Sequence, residues 1–428
     1  MKKLLLILLS TFLFTACFKQ NTAPQTKVLP EVSANTVGMS PDRLSRIDTM
    51  LTNAIKDNKI PGAVALIARH GKIVYHKAFG MANNKSKEAL KLDHIFRIAS
   101  QTKAITSTAV MMLWEEGRFS LDDPISKYIP EFANPQVLES FNEADSSYTT
   151  KPANKEITIR NLLTHTSGIG YGQIDGDAQF RKLYAKEGIV DLFTTEDVKI
   201  ADNIKKLASL PLHHNPGEKF TYSEGLDVLG YFVEIISGMP FDKFLKTRIF
   251  EPLGMNDTYF YLPESKYNRL VTVQTKRDNK WIKYPVTFYD TDYPKTGAKQ
   301  FLSGGAGLSS TAKDYATFLQ MYLNKGELNG VRLLSRTTVE TILTNQIPYI
   351  SNEIPAVHGL AFGLVDTKKH DLGGSGSEGT FEWGGYFNTQ YFADPKEELI
   401  GIILKQTKSV SEDTAGKFRL LVHAAIAD

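Results

Sequence analysis

Apolar residues recur along this chain with two periods, and the change from one to the other outlines its architecture. After Ser40-Pro41, the positions Leu44, Ile47, Leu51 and Ile55 fall at helical spacing and make one apolar face. Serine as cap and proline in the first turn mark the start of that helix. Residues 62–69 and 72–79 read as two strands joined at His70-Gly71. From Ala104 to Trp114 nearly every residue is apolar or small. Such a helix has no solvent face and is expected to be buried. A short helix from Ile157 ends by Gly168, and further helices are predicted over 228–236 and 312–324, the last opened by a Thr311/Asp314 capping box. Two strand-like runs, 388–393 and 399–406, hinge at Asp394-Pro395, and a helix over about 411–427 ends the chain. Residues 259–298 are rich in aromatics and charges, without a period, and predict no element. Strands therefore collect at both ends of the chain, with helices between.

The N-terminus reads differently. Met1-Lys2-Lys3 followed by apolar residues 4–16 is a charged leader with a short hydrophobic region. It is too short to span a bilayer. Phe14-Thr15-Ala16-Cys17 resembles a bacterial lipobox, with Phe14 where leucine is usual. Residues 1–17 are thus expected to be a lipoprotein signal peptide, with Cys17 lipidated and the mature protein held on the cell envelope. Cys17 is the only cysteine, so no disulfide forms within the chain. Residues 18–38 are polar and aperiodic and are expected to be a flexible tether, reaching roughly 25 Å on average.

Composition narrows the function classes. The 428 residues, 42% hydrophobic and 23% charged, are ordinary for a globular protein. Net charge is +3, and no basic run interleaved with aromatics occurs, so nucleic acid is not an expected partner. His213-His214 cannot converge on one metal from an extended chain, and no H-E-x-x-H accompanies them. Ser303-Gly-Gly-Ala-Gly-Leu-Ser-Ser310 lacks the ending of a phosphate loop. No metal or organic cofactor is expected. There is no G-x-S-x-G elbow, which argues against an α/β-hydrolase.

The candidate chemistry lies at the entrance of the apolar helix, in Ser100-x-x-Lys103. Residues three apart on a helix share a face, so hydroxyl and amine can meet in one site. Partial desolvation of an amine there favours its neutral form, and the pair then has the parts of a nucleophile and its proton acceptor. The tetrad recurs at Ser310-x-x-Lys313, where a helix cap explains it, so the tetrad alone decides little. His165 is expected to hydrogen-bond a loop, and Tyr171 to line a pocket wall.

Three elements stand in order: Ser100-x-x-Lys103, Tyr222-Ser223-Glu224 and Trp383-Gly384-Gly385. Together with Leu163-Thr-His-Thr-Ser-Gly168, Pro252-Leu-Gly-Met255 and Gly305-Ala-Gly-Leu-Ser-Ser310, this resembles the serine β-lactamase and penicillin-binding protein superfamily, and within it the class C group. The resemblance runs from about Ser40 to the C-terminus. It implies an α+β, β-lactamase/transpeptidase-like fold: an antiparallel sheet built from both chain ends (about 39–98 and 300–428), flanked by helices, with a mostly helical region (about 99–299) between. It implies Ser100 as acylated nucleophile, Lys103 as its proton acceptor and Tyr222 as a general base. The oxyanion hole would be the backbone N–H groups of Ser100 and Tyr386, and Trp383, Gly385, Tyr171 and Glu224 would line the substrate site.

The departures from that pattern set the expected substrate. Trp383 stands where β-lactamases have Lys or His to hold a substrate carboxylate, and Trp-x-Gly there is similar to family VIII carboxylesterases. A neutral acyl ester is therefore the expected substrate. A β-lactam or a D,D-peptide is the alternative, and an inactive envelope binding protein is the alternative from another class. Glu224 replaces the usual Asn; it either points at Lys103 or, as expected here, faces solvent. Asn388 is expected to narrow the cleft. Oligomeric state is not legible.

Overall fold

The computed structural model describes residues 29–350, 357–367 and 376–428. The leader, Cys17 and tether residues 18–28 lie outside the described residues. A seven-stranded antiparallel sheet is woven from both ends of the chain. Its order is Gly363–Leu364, Phe381–Gly385, Thr389–Asp394, Leu399–Leu404, Gly62–Arg69, Lys72–Asn83 and Glu88–Ala89. N-terminal and C-terminal strands meet at its centre, where Val64 pairs with Leu404 and Arg69 with Leu399. This is the α+β architecture expected from the strand pattern.

Gly62–Arg69 shows no polar alternation because both of its faces are covered; all eight residues are buried. Val64, Leu66 and Ala68 enter the larger core, while Ala63, Ala65 and Ile67 enter a second core on the other side. Leu399–Leu404 divides in the same way, with Ile400, Ile402 and Leu404 on one side and Leu399 and Ile403 on the other. The helix Pro41–Lys56 covers the outer face with Leu44, Ile47, Leu51 and Ala54, beside the C-terminal helix Thr414–Ala424. Ser40 caps the first of these, accepting from Arg43 N at 3.3 Å. On the inner face the helix Thr102–Glu115 is buried from Thr102 to Leu113, as its composition requires. It packs against the helix Gly225–Ser237, and Ala312–Leu323 lies directly under the central strands.

Three differences from the sequence expectation have physical causes. The tether does not extend to residue 38. Leu29, Ala34, Val37 and Met39 are buried, and Val32 N donates to Ile73 O while Ile73 N donates to Pro30 O. These scattered apolar residues suffice to dock the segment on the strand Lys72–Asn83. Gly38 sits at φ 70, a left-handed conformation that strains any side chain, and a Cβ there would displace Asp428 from Arg69. Second, Trp383 and its glycines, to which the periodicity assigns no element, lie in the strand Phe381–Gly385.

Third, the aperiodic 259–298 region contains a hairpin, Gln274–Arg277 with Lys280–Lys283, turning on Asp278 and Asn279 at φ 47 and 58. Asp-Asn tolerates these left-handed conformations but lacks the glycine that advertises them. The Arg97 guanidinium, fully buried, ties this region to the strand leading into Ser100. It donates to Thr291 O at 2.5 Å and Val271 O at 2.7 Å, and Asp292 lies 3.6 Å away. No helix among the described residues is long and apolar enough to cross a membrane.

Replacing Arg97 by Ala would strand these acceptors without donors. The expected loss is about 3 kcal/mol or more in chemical denaturation, with Arg97→Lys recovering part of it. A loss below about 1 kcal/mol would mean the guanidinium is not holding the 271–292 segment.

Candidate active site

Ser100 lies in the tight turn Ala99–Gln101 at the mouth of the buried helix. Ala99, just before it, is fully buried at φ 44, a conformation that a Cβ makes costly. Lys103, one turn on, is buried, and its amine has three hydrogen-bond partners. Nζ lies 2.7 Å from Gly305 O, 3.0 Å from the Tyr171 hydroxyl and 3.4 Å from Ser100 Oγ. The Tyr222 ring centroid stands 4.6 Å from the same nitrogen. Trp383 reaches in from the sheet, and its Nε1–H donates to the Tyr222 hydroxyl at 3.4 Å. Gly385 comes so near the strand leading into Ser100 that a Cβ would stand 2.5 Å from Ile98 O. Tyr386 follows it directly. Residues from three distant parts of the chain thus converge, as the motifs imply.

Tyr171 is more than a wall residue, since its hydroxyl is one of the three hydrogen-bond partners of Lys103. Burial, then Tyr222 and nearby carboxyls, keep that hydroxyl protonated. His165 fulfils the loop expectation. Its Nδ1 meets Ser223 Oγ at 3.0 Å, and its carbonyl accepts from Thr221 N. Burial, followed by His358 and Lys103, holds its imidazole neutral. The same ring lies 4.7 Å from that of Tyr222 and supports it from behind. Asn388 does not narrow the cleft. It takes φ 62 in the turn after Tyr386, and its side chain donates to Thr407 Oγ1 at 2.7 Å. That conformation accounts for glycine being acceptable at the same place.

The expectation for Glu224 is overturned. It is 1% exposed and stands at the N-terminus of the helix Gly225–Ser237, where its side chain makes no cap bond. Oxygens of Asp191 accept from Gly172 N at 2.9 Å and from Gln173 N. Burial, then the Asp191 and Asp227 carboxyls, push Glu224 well above the usual carboxylate range, against the pull of Lys103. Burial therefore favours the protonated form of Glu224. A lone Glu in sequence reads as solvated; the segments that cover this one are invisible there.

Asp227 and Gly305 carry weight that the motifs did not assign. Asp227 Oδ1 accepts Gly305 N–H at 3.2 Å, and a Cβ on Gly305 would lie 2.4 Å from Asp227 Oδ2. The carbonyl of that same glycine holds Lys103. A single Asp in the otherwise apolar run 225–233 was the available signal. Around the site stands an aromatic wall of Phe193, Tyr289, Phe387 and Tyr386, with Lys408 Nζ 3.4 Å from the Tyr386 ring centroid.

A cavity of about 670 Å³ lies between the outer face of the sheet and the C-terminal helix, lined by Glu382, Trp383, Phe392, Phe418 and Arg419, and it holds none of Ser100, Lys103 and Tyr222. Chemistry rather than volume locates the site. No group of three or more His, Cys, Asp or Glu among the described residues could hold a metal ion.

A profile of the beta-lactamase family matches residues 47–425. The chain belongs to this family. EstB, an esterase of Burkholderia gladioli, is 30% identical to this beta-lactamase family member over 398 residues, covering 89% of the chain and 94% of EstB. Lovastatin esterase of Penicillium rubens is 30% identical over 383 residues, covering 83% and 91%. Among solved structures, EstCE1, described as a hydrolase with promiscuous acyltransferase activity, superposes with a TM-score of 0.74 at 25% identity, covering 90% of this chain and 98% of its own. This beta-lactamase family chain is a serine hydrolase.

Glu224 gives a prediction with a definite sign. Below its ordinary value of 4.5 folded and unfolded chains both hold the proton. Above it only the folded chain does, so this group lowers stability as pH rises toward the folded value. Glu224→Gln removes that slope: its melting temperature relative to the native chain should rise from pH 5 to pH 8. A flat difference would mean that Glu224 titrates normally.

Proposed function

We propose that the protein hydrolyses carboxylic esters with neutral acyl groups through an acyl-enzyme on Ser100. The observation that carries this reading is the Trp383 indole. It presents an apolar face, and its one N–H is directed to Tyr222. β-Lactams and D-alanyl-D-alanine termini carry a carboxylate that wants a cation at this place; simple esters do not. The esterases among the relatives support the same choice.

In the first step the neutral amine of Lys103, 3.4 Å away with its lone pair toward Ser100 Oγ, takes the serine proton as Oγ bonds to the ester carbonyl carbon. The bond to the alkoxy oxygen then breaks, and that proton leaves with the alcohol. In the second step Tyr222, acting as its phenolate, takes a proton from water as the water oxygen bonds to the acyl carbon, and passes it on. Ser100 Oγ leaves and recovers the proton, and the carboxylic acid departs. Backbone N–H groups of Ser100 and Tyr386 would receive the negative oxygen in both steps. The close fit of Gly385 against Ile98 supports that arrangement. The leader and Cys17 support export and lipid attachment at the cell envelope.

Purified protein is expected to turn over short p-nitrophenyl esters, with Ser100→Ala abolishing turnover and Tyr222→Phe lowering it roughly a hundredfold or more. Ser100→Ala activity equal to the native rate would sink the esterase reading, and faster turnover of nitrocefin than of any ester would replace it with a β-lactamase. In a host with lipoprotein processing, the native chain should fractionate with membranes and Cys17→Ser should not. Equal membrane retention of both would refute the anchor.

A further inference from the structure

We infer that His165 is a positioning residue for Tyr222, holding the phenol where it serves the water step while acylation of Ser100 proceeds without it. The inference rests on the reading of Ser100 and Lys103 as the acylating pair and of Tyr222 as the base for water.

The three reacting side chains are not held alike. Ser100 belongs to a tight turn and Lys103 to a buried helix, so regular backbone bonding fixes both. Thr221, Tyr222 and Ser223 belong to no helix or strand. The direction of the phenol must then come from bonds to other segments, and His165 supplies them on both sides. Its carbonyl accepts from Thr221 N at 2.7 Å, and its Nδ1 lies 3.0 Å from Ser223 Oγ. Between these two ties its ring stands 4.7 Å from that of Tyr222. One residue thus grips the positions before and after Tyr222 and backs the ring between them.

Such a bracket works only if it is itself rigid. His165 is fully buried and takes φ 56, a left-handed conformation that His and Asn adopt more readily than most residues. Its neighbours are tied to the helix Ile159–Leu163. Thr164 N donates to Arg160 O at 3.0 Å, Thr166 N to Asn161 O at 2.8 Å, and Asn161 Nδ2 to Thr166 Oγ1 at 3.1 Å. Lys103 draws its partners from Gly305, Tyr171 and Ser100 instead. Loosening the bracket therefore displaces the phenol and leaves the amine in place. A shift of about 1 Å in a reacting group can cost on the order of a hundredfold in rate. The loss should fall on hydrolysis of the acyl-enzyme, the step in which Tyr222 takes a proton from water.

The test separates the two steps in the purified protein. With p-nitrophenyl butyrate, kcat/KM reports the steps up to release of p-nitrophenol, whereas kcat includes hydrolysis of the acyl-enzyme. His165→Phe keeps a ring behind Tyr222 and removes the bond to Ser223. It should lower kcat at least tenfold and show an initial burst of about one p-nitrophenol per chain. Its kcat/KM, and its rate of Ser100 labelling by a fluorophosphonate, should stay within threefold of native. His165→Asn suits the same backbone conformation and places an amide atom near Ser223 Oγ, so it should recover at least threefold in kcat. Ser223→Ala breaks the same bond from its other end and should reproduce the split even where His165→Phe does not fold. Unchanged kcat in these variants, or kcat, kcat/KM and labelling falling together, would overturn the inference while leaving the esterase reading intact. A native chain that neither labels nor turns over the ester would overturn both.

Discussion

The active-site region depends on a buried lysine amine that has no carboxylate in direct contact among the described residues. An amine taken out of water needs hydrogen-bond partners. Here they are a backbone carbonyl, a phenol and the serine hydroxyl, contributed by three separate segments. Asp227 and Asp191 stand one link further out, holding the segments that bear the first two rather than the amine itself. A direct carboxylate partner would have fixed the amine in an ion pair and turned it away from Ser100. Dividing the work between neutral partners leaves Lys103 Nζ facing the hydroxyl. The cost is a set of tightly fitted glycines, of which Gly305 admits no side chain.

Much of this was legible in the residues, and what was not follows a rule. The spacing of Ser100 and Lys103, the all-apolar helix behind them and the strands at both chain ends depend on local pattern, and each is found in the fold. Glu224 was misread because its burial is made by segments remote in sequence, and no local pattern distinguishes a carboxyl that will be covered from one that will meet water. Asp227 and Gly305 escaped notice for the same reason: each matters through a hydrogen bond to another segment. The strand around Trp383 is short and glycine-rich, so its pairing with Thr389–Asp394 outweighs weak strand propensity. Residues 29–38 look like a linker by composition, yet a few apolar side chains and two backbone hydrogen bonds are enough to dock them.

Trp383 links the sheet to the chemistry in a way that a charged residue would not. Its ring lies 5.9 Å from that of Tyr222 and 5.4 Å from that of His358, and Tyr222 in turn rests on His165. His165 and His358 are both buried and kept neutral, chiefly by that burial. The phenol is thus set in a stack of uncharged rings, with Lys103 as its near cation. Field at the phenol comes from one side, and the opposite side supplies shape.

The centre of the sheet also constrains how the polypeptide reaches this state. Gly62–Arg69 lies beside Leu399–Leu404, a partner far along the chain. Until that partner has been made, an eight-residue apolar segment has one edge unpaired. Closure across so long a stretch of chain is slow. The newborn chain must therefore keep that edge from pairing elsewhere while the intervening residues are translated.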